Sequence, residues 1–511
     1  MKTNTFSFPL LIAILISCTT TDLEVKQIEN PPKEDNSTLN KVASEQYGVW
    51  TTSQTQNKYL AKTSGELSFT NSVSDANPIL EVDSRGNNRG QYIDGFGYTL
   101  TGGSAELLSK MSQSNRTSLL NEIYNNATAS QNKNDVIRVS IGGEDLSRTA
   151  YTLNDLPSGQ TDLSQSKLSL SKDNQKIAIL KEIIAINPNI KIFATPWSAP
   201  AWMKTNGNLS GGSLRNDQDT NNNQIYFSSY ADYFVKYIQQ MKNQGITIYA
   251  ITPQNEPLNG NNNPSMIMYD YEQANFIRYH LGPKLKAAGL ATKIIAYDHN
   301  ADNNGVNYVK TLFADAVTKS YIHGTAWHLY DNSDINNLTA IRDQDASKGI
   351  YFTEQWLEDK NWDDGSLLWH VNKITIGSLN NWSKTVMEWN LASDPGTTIN
   401  TPGGCFNCLG ALTINGNSVQ KNISYYSLAH ASRFLGENAQ RLFPRAHNAG
   451  ADINYAALVN DQSPYARIMI ITNGNSATKN MNLKYITYDG VVKYAKISVP
   501  GNSVQTYVWR Q

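Results

Sequence analysis

Eight short segments rich in β-branched and aromatic residues recur along the middle of this chain. Helical patterns such as 175–186, 230–242 and 271–288 separate most of them. This alternation is typical of parallel strands closed into a barrel and surrounded by helices, not of separate sheet and helix domains. The sequence therefore predicts an α/β fold, a (β/α)8 TIM barrel, with strands at Tyr92–Gly97, Val136–Ser140, Lys191–Thr195, Ile246–Thr252, Lys293–Tyr297, Gly324–His328, Ile350–Thr353 and Thr385–Trp389.

Two glutamates follow strands of this predicted barrel. Glu256 comes after the fourth strand, between Pro253 and Pro257, which stop the strand from continuing. Glu354 comes directly after the seventh strand, 98 residues later. One β/α unit takes roughly 31 residues, so three units fit between them and both carboxyls would lie at one mouth of the barrel. For either glutamate alone, a solvated turn carboxylate is the alternative interpretation.

Two carboxyls at one barrel mouth suit the hydrolysis of a glycosidic bond. One protonates the leaving oxygen, and the other, in its ionised form, attacks the anomeric carbon. For a reaction with retained configuration they should lie about 5–5.5 Å apart. At that distance the two charges repel, which raises one of the two pKa values.

Composition and motifs exclude several other classes of function. The chain has 43 Lys and Arg against 44 Asp and Glu, so nothing indicates a nucleic-acid partner. The seven histidines form no helical pair of ligand type, and no glycine-rich phosphate loop follows a strand. We therefore predict no metal and no cofactor.

The N-terminus has the features of an export signal. A basic start precedes the apolar run Phe8–Ile16, which is short for a membrane span. Leu15-Ile-Ser-Cys18 resembles a bacterial lipobox, which predicts a signal peptide at 1–18 and a lipidated Cys18; an unlipidated signal peptide is the alternative. Residues 19–40 are polar and predict a flexible tether.

Short alternating segments at both ends predict an accessory β-sandwich. Strand patterns with Asn-Gly and Asp-Gly turns fill 441–511, and those in 41–90 are too few to bury a core alone, so we expect the two regions to combine around a catalytic barrel at 91–440. Cys405 and Cys408 form a CxxC pair. In an exported chain this favours a local disulfide over free thiols.

The motifs together resemble those of glycoside hydrolase family 30, which includes the glucosylceramidases. The resemblance runs from about Gly90 to Leu442 and rests on Gly95-Phe-Gly97, Thr195-Pro-Trp-Ser-Ala-Pro-Ala-Trp-Met-Lys-Thr205, Thr252-Pro-Gln-Asn-Glu-Pro257, Thr353-Glu-Gln-Trp356 and Glu388-Trp-Asn-Leu-Ala392. It implies a retaining β-glycosidase with Glu256 as acid/base and Glu354 as nucleophile. With these roles, repulsion should keep Glu256 protonated while Glu354 is ionised.

Further site residues follow from the same motifs. Tyr330 matches the family position that hydrogen-bonds the nucleophile, and Asn255 is a candidate for binding the sugar 2-hydroxyl. Trp197 and Trp389 would present apolar faces to a pyranose ring, with core packing as the alternative. Asp145 would accept from sugar hydroxyls. Arg138 would orient the acid pair by its charge, unless it is purely structural.

Bacterial relatives with a lipid anchor and a Gly-Gly-Cys-x-x-Cys loop after the strand-eight Trp-Asn look most like the β-1,6-glucanase branch of this family. The resemblance therefore implies an endo-β-1,6-glucanase, with glucosylceramidase, β-glucosidase or xylanase activity as the alternatives. A lipid-anchored carbohydrate-binding protein without turnover is an alternative from another class. We expect a monomer that meets a polysaccharide or oligosaccharide, touches the membrane only through its lipid, and resides at the bacterial outer membrane.

Overall fold

The computed structural model describes residues 46–126, 132–217, 224–358, 363–435, 438–461 and 466–510. These residues belong to one compact unit, 42–511. The predicted signal peptide, Cys18 and the predicted tether lie outside the described residues. No helix in the described ranges is both long and apolar enough to span a bilayer.

Eight parallel strands close into a barrel, as the alternation of strands and helices predicts. We number them β1–β8 in chain order: Gly95–Leu100, Val136–Ser140, Lys191–Thr195, Ile248–Ile251, Lys293–Asn300, Ile322–His328, Gly349–Glu354 and Ser383–Asn390. Their α-helices span Gly102–Lys110, Gln113–Tyr124, Asn174–Ile186, Ile225–Asn243, Asp270–Asn275, Gly282–Ala287, Asn303–Ala314, Ala316–Tyr321, Asn337–Arg342, Asp364–Trp369, Gly377–Asn380 and Ile423–Ser432. π-Helical turns span Phe276–Leu281 and His370–Ile376, and 3₁₀ turns span Gly86–Asn88, Leu170–Asp173 and Ala201–Met203.

The predicted first barrel strand, Tyr92–Gly97, is wrong in its boundaries. Arg89–Tyr92 pairs in a sheet outside the barrel, and β1 begins only at Gly95. Gly95 has φ of +142°, a conformation that side-chain-bearing residues rarely adopt, and a Cβ there would lie 2.8 Å from the side chain of Asp135. The chain therefore changes sheets at this glycine.

Both chain ends contribute to two further sheets, as predicted. The larger sheet contains seven strands, in the order Lys58–Ser64, Gly48–Ser53, Ser503–Trp509, Ala466–Asn473, Ile453–Asn460, Gln440–Leu442 and Arg89–Tyr92. The smaller contains Arg445–His447, Ile79–Asp83, Lys479–Ile486 and Val492–Val499. Alternate residues of both sheets form one buried cluster, which includes Met469, Leu483 and Ile497. The opposite face of the larger sheet, including Ile468 and Ile470, joins the main core around the barrel, so the sandwich is packed against the barrel.

The barrel interior changes from apolar to polar toward the mouth. One buried layer is mostly apolar and consists of Val136, Phe193, Ala250, Ile295, Ala326, Tyr351 and Met387. Two residues later along most strands, at the next inward position, stand Arg138, Thr195, Thr252, His328, Thr353 and Trp389. Because side chains alternate along each strand, the next inward-pointing layer lies nearer the mouth and is mostly polar.

Candidate active site

A cavity of about 570 Å³ opens at the carboxyl ends of the barrel strands. This is the end at which barrel enzymes carry out their chemistry. Of the residues that the sequence singles out, those lining the cavity are Asp145, Trp197, Glu256, Tyr330, Glu354, Trp389, Cys405 and Cys408. Arg138 and Asn255 are buried beside them and bond to each other, with the Arg138 guanidinium 2.7 Å from Asn255 Oδ1.

The two glutamates follow β4 and β7, as their spacing predicts. One carboxylate oxygen of each, together with a ring nitrogen of His328, lie within 4.8 Å of one another. Both glutamates are buried. The separation is close to that of a retaining pair of carboxyls and leaves no room for the water that inverting enzymes place between them.

The backbone holds Glu256 in an unusual conformation. Its φ is +45°, and its N–H donates to the carbonyl of Asp298 at 2.9 Å. Tyr297 and Asp298 also have positive φ, of 73° and 80°. Three non-glycine residues in this sparsely populated region, packed against each other, mark a site whose geometry the surrounding structure enforces.

Glu354 is held by a cation and a hydroxyl. Arg138 Nη1 donates to Glu354 Oε2, and Tyr330 Oη donates to Oε1 at 3.0 Å. Burial raises the pKa of Glu354, which the charges of His328 and Arg138 oppose and those of Glu256 and Asp298 reinforce. The contacts from Arg138 and Tyr330 leave the carboxylate fixed in one orientation at the cavity wall.

Glu256 faces a histidine and an amide. His328 Nδ1 lies 3.3 Å from Glu256 Oε1, and Asn259 Nδ2 donates to Oε2 at 2.8 Å. Burial alone would raise the pKa of Glu256, but the hydrogen bond from His328, the charge that His299 carries at the low pH where Glu256 titrates, the charge of His328 and the Asn259 amide outweigh it and lower that pKa to about 2. The prediction that repulsion from Glu354 keeps Glu256 protonated is therefore wrong.

The proton lies instead on His328. Burial would lower the pKa of this ring, but the charge of Glu354 and the hydrogen bonds to Asp298 and Glu256 raise it to about 9. Nε2 lies 3.1 Å from Asp298 Oδ1, so both ring nitrogens donate to carboxylates. At neutral pH, the Glu256–His328 pair thus holds one titratable proton. The sequence analysis identified His328 only as the end of a strand and did not predict this role.

Asp298 is the central residue that the sequence reasoning missed. It is fully buried; Oδ2 accepts from Arg138 at 3.0 Å and from Thr252 at 2.7 Å, and Oδ1 accepts from Thr353 at 2.7 Å. Despite burial, the charges and hydrogen bonds of Arg138, His328 and Thr252 hold its pKa far below the usual range. Asp298 is therefore the permanent anion that fixes both Arg138 and His328.

Two tryptophans line one side of the cavity, and the buried Arg138 cation packs against both rings. The rings of Trp197 and Trp389 lie 5.2 Å apart at an interplanar angle of 31°, and the guanidinium carbon lies 4.9 Å and 5.8 Å from their centroids. Both rings are almost completely buried, yet both line the cavity. They therefore pack in the core and also present surface to the cavity.

Asp145 and the cysteine pair complete this side. Burial, together with the charges of Glu354, Glu144 and Glu256, raises the pKa of Asp145 to about 8, and its Oδ1 has no hydrogen-bond partner among the described residues. Cys405 and Cys408 are joined by a disulfide. Cys408 and Leu409 pair with Leu357 and Glu358, directly after the Glu354 strand, which ties the disulfide loop to the cavity wall.

Glu256, His328 and Glu354 also have the spacing of a metal-binding group, and they form the one such trio in the described ranges. A metal ligand must offer a free lone pair, so a histidine has to be neutral to bind an ion. His328 is protonated at neutral pH and uses both nitrogens as donors. In this protonated state neither ring nitrogen of His328 offers a lone pair to a metal ion.

Another part of the cavity lining is a polar wall, which the sequence reasoning did not identify. We use this name for two groups of cavity-lining residues. Asn259 and Asn262 follow β4, and His299, Asn300, Asp302 and Asn304 lie at the end of β5 or directly after it. The clusters of Asn and Asp after these two strands were the available signal.

Comparison with known proteins agrees with this geometry. The family model for the glycosyl hydrolase family 30 TIM-barrel domain matches residues 93–435. An endo-1,6-beta-D-glucanase of Trichoderma harzianum is 34% identical over 447 residues, which cover 84% of this chain and 86% of the relative. The lysosomal acid glucosylceramidase of Mus musculus is 26% identical over 456 residues, covering 82% of each chain. The solved structure of an endo-beta1,6-glucanase has a TM-score of 0.79 and 32% identity, and the match covers 91% of this chain and 99% of that one. The chain therefore belongs to glycosyl hydrolase family 30.

Proposed function

We propose that this protein is a retaining endo-β-1,6-glucanase that cleaves β-1,6-glucan through a covalent glycosyl-enzyme intermediate. The observation that carries the proposal is the pair of buried carboxyls, with oxygens within 4.8 Å, at the ends of β4 and β7. The choice of substrate is supported by the relatives, since the glucanases share 34% and 32% of their residues with this chain and the glucosylceramidase 26%.

Glu354 acts as the nucleophile in this proposal. Arg138 and Tyr330 orient its carboxylate. The hydrogen bond from Tyr330 to Oε1 breaks when this oxygen forms an ester with the anomeric carbon. The bond from that carbon to the leaving oxygen breaks as the ester bond forms, through a transition state with oxocarbenium character. Fixed orientation of the attacking oxygen lowers the entropic cost of this step.

The Glu256–His328 pair supplies the proton for the leaving oxygen. Once the proton has gone, Glu256 is ionised and His328 is neutral, and Glu256 can then accept a proton from the water that attacks the ester. Esterification removes the charge of Glu354, one of the charges that raise the pKa of His328. The same event therefore weakens the hold of His328 on a proton.

The cavity offers the groups that a glucose unit needs. Trp197 and Trp389 present aromatic surface to the pyranose ring, and Asp145, whose carboxyl is neutral at neutral pH, can both donate to and accept from sugar hydroxyls. Asn255 has Oδ1 committed to Arg138, so its amide group is the part that would reach the 2-hydroxyl. These binding roles are part of the proposal.

Digestion of a β-1,6-glucan tests the proposed activity. With the soluble protein starting after Cys18, we expect a ladder of shorter oligosaccharides whose newly formed ends have the β configuration. Glu256→Gln and Glu354→Gln should both suppress the ladder. If the wild type leaves the glucan intact but releases sugar from xylan, glucosylceramide or an aryl β-glucoside, the choice of substrate is wrong; if no glycoside is cleaved, the protein is a binder.

The Glu256–His328 pair makes the reaction depend on pH. We expect kcat/KM for β-1,6-linked oligosaccharides to fall as the pH rises through about 9, since above the His328 pKa of about 9 the pair holds no proton for the leaving oxygen. Asp145, with a pKa of about 8, ionises in the same range. We would assay Glu256→Gln on an aryl β-glucoside, whose phenolate leaves without a proton. In this variant kcat/KM should fall only near pH 8, where Asp145 ionises. An identical alkaline limb in both enzymes would rule out the pair as its source.

We further propose that the protein is an exported lipoprotein anchored through Cys18 at the outer membrane, and a monomer. The support for the anchor is Leu15-Ile-Ser-Cys18 after a short apolar run. A tether of about 20 polar residues would let the barrel reach a polysaccharide away from the lipid surface.

A further inference from the structure

The two sides of the cavity differ in chemistry. Trp197, Trp356, Trp389 and the disulfide lie on elements that follow β3, β7 and β8, whereas the polar wall follows β4 and β5. In the barrel, β4 and β5 are neighbours. Asn259 of the polar wall donates directly to Glu256. Because Glu256 protonates the leaving oxygen in the proposed reaction, the polar wall lies on the side from which the leaving group departs.

His299 stands out within this wall. Only 9% of its surface is exposed, it lines the cavity, and its Nδ1 is enclosed without a hydrogen-bond partner among the described residues. Its ring lies 6.3 Å from that of His328, the partner of Glu256. A ligand in the cavity would bond the exposed edge of the ring, since the enclosed Nδ1 is out of its reach.

The state of the ring suits a hydroxyl partner. Burial lowers the pKa of His299, although the charge of Glu256 opposes this, so the ring is neutral at neutral pH. A neutral imidazole has one donor and one acceptor nitrogen. A sugar hydroxyl also both donates and accepts, whereas a saturated hydrocarbon chain in the leaving group offers neither.

We propose that His299 binds a hydroxyl of the leaving sugar and thereby selects a carbohydrate leaving group over an apolar one. This inference rests on the proposed function, because it takes the leaving side from the role of Glu256. Asn259 and Asn262 line the same cavity and offer amide groups to the same hydroxyls. The site would thus discriminate between a glucan and a glycolipid at the group that departs, even where both present the same sugar to Trp197 and Trp389.

Two substrates that carry the same glycosyl group but different leaving groups isolate the contribution of His299. Gentiotriose and an aryl β-gentiobioside carry the same β-1,6-linked disaccharide donor, but the first releases glucose and the second releases a phenol. The ratio of their kcat/KM values does not depend on how much of a variant is folded. We expect His299→Ala to lower the ratio of gentiotriose to aryl gentiobioside about three- to tenfold, the loss of one hydrogen bond between neutral groups.

Two further variants sharpen the test. His299→Gln keeps a donor and an acceptor and should restore part of the ratio, while His447→Ala, at an exposed histidine of the sandwich, should leave it unchanged. An unchanged ratio in His299→Ala, or an equal fall in His447→Ala, would overturn the inference. If the wild type cleaves neither substrate, the proposed glucanase function fails, and the same ratio is then taken with a sugar and a phenol leaving group on the glycan that the enzyme does cleave.

Discussion

Replacement of Glu354 by glutamine is expected to reduce kcat/KM for β-1,6-glucan by a factor of about 10⁴ or more, because the amide cannot attack the anomeric carbon. Glutamine keeps the shape of the side chain; its amide oxygen can still accept from Arg138 and its amide nitrogen can donate to Tyr330 Oη, so the fold should persist. The measurement is the initial rate of new reducing ends, with the circular dichroism spectrum as a check on folding. Activity within tenfold of the wild type would exclude Glu354 as the nucleophile.

Azide separates the roles of the two glutamates. In Glu354→Ala, azide can occupy the space of the missing carboxylate and attack an activated aryl β-glucoside from the face of the nucleophile, which gives the α-azide. In Glu256→Ala, the ester on Glu354 still forms, and azide replaces water in the second step, which gives the β-azide. The opposite pairing of variant and product would reverse the assignment of Glu256 and Glu354.

The barrel and its two glutamates were predictable because they rest on local patterns. Each strand is a short run of β-branched and aromatic residues, and the spacing of Glu256 and Glu354 counts whole β/α units. The accessory sandwich was predictable from its alternation and turn residues. The change of sheet at Gly95 was not, because Arg89–Tyr92 and the strand that follows read as one continuous run in the sequence.

Asp298 escaped prediction because β5 contains an irregularity. Alternation from Ile295 would point Tyr297 into the barrel, but the pairing of β5 with β6 shifts register there, so that Ala326 faces Tyr297 and Trp327 faces His299. The extra residue turns Asp298 toward Arg138 and His328. An acidic residue at the end of a barrel strand was the available signal. Because the predicted strand ended at Tyr297, Asp298 was assigned to the following loop.

The protonation of the site was beyond sequence reasoning for a related cause. Repulsion between Glu256 and Glu354 follows from their spacing alone, whereas the position of His328 between Glu256 and Asp298 depends on the same shifted register. A cation 3.3 Å from Glu256 outweighs the repulsion and moves the proton to the ring. The direction of a pKa shift in such a cluster needs the three-dimensional arrangement of every charge.

Asp298→Asn is expected to produce the largest loss of stability, about 3–5 kcal/mol, because the fully buried Arg138 and His328 lose one of the two carboxylates that they share, the other being Glu354. The measurement is the free energy of unfolding in urea at neutral pH. Since the folded pKa of Asp298 is depressed, its contribution is fully present above the ordinary value of 3.8 and is lost as the pH falls below it. The difference between wild type and variant should therefore shrink in acid.

The same variant should change catalysis through His328. Without Asp298, less negative charge supports the imidazolium, so the alkaline limb of kcat/KM near 9 should move to lower pH. A purely structural role would lower the amount of folded enzyme and leave that limb in place. Asp343→Asn, at an exposed carboxylate on the barrel surface, is the matched control and should change neither stability nor the limb. If Asp298→Asn lowers stability but keeps the limb near 9, then Asp298 holds the fold of the mouth without setting the proton affinity of the Glu256–His328 pair.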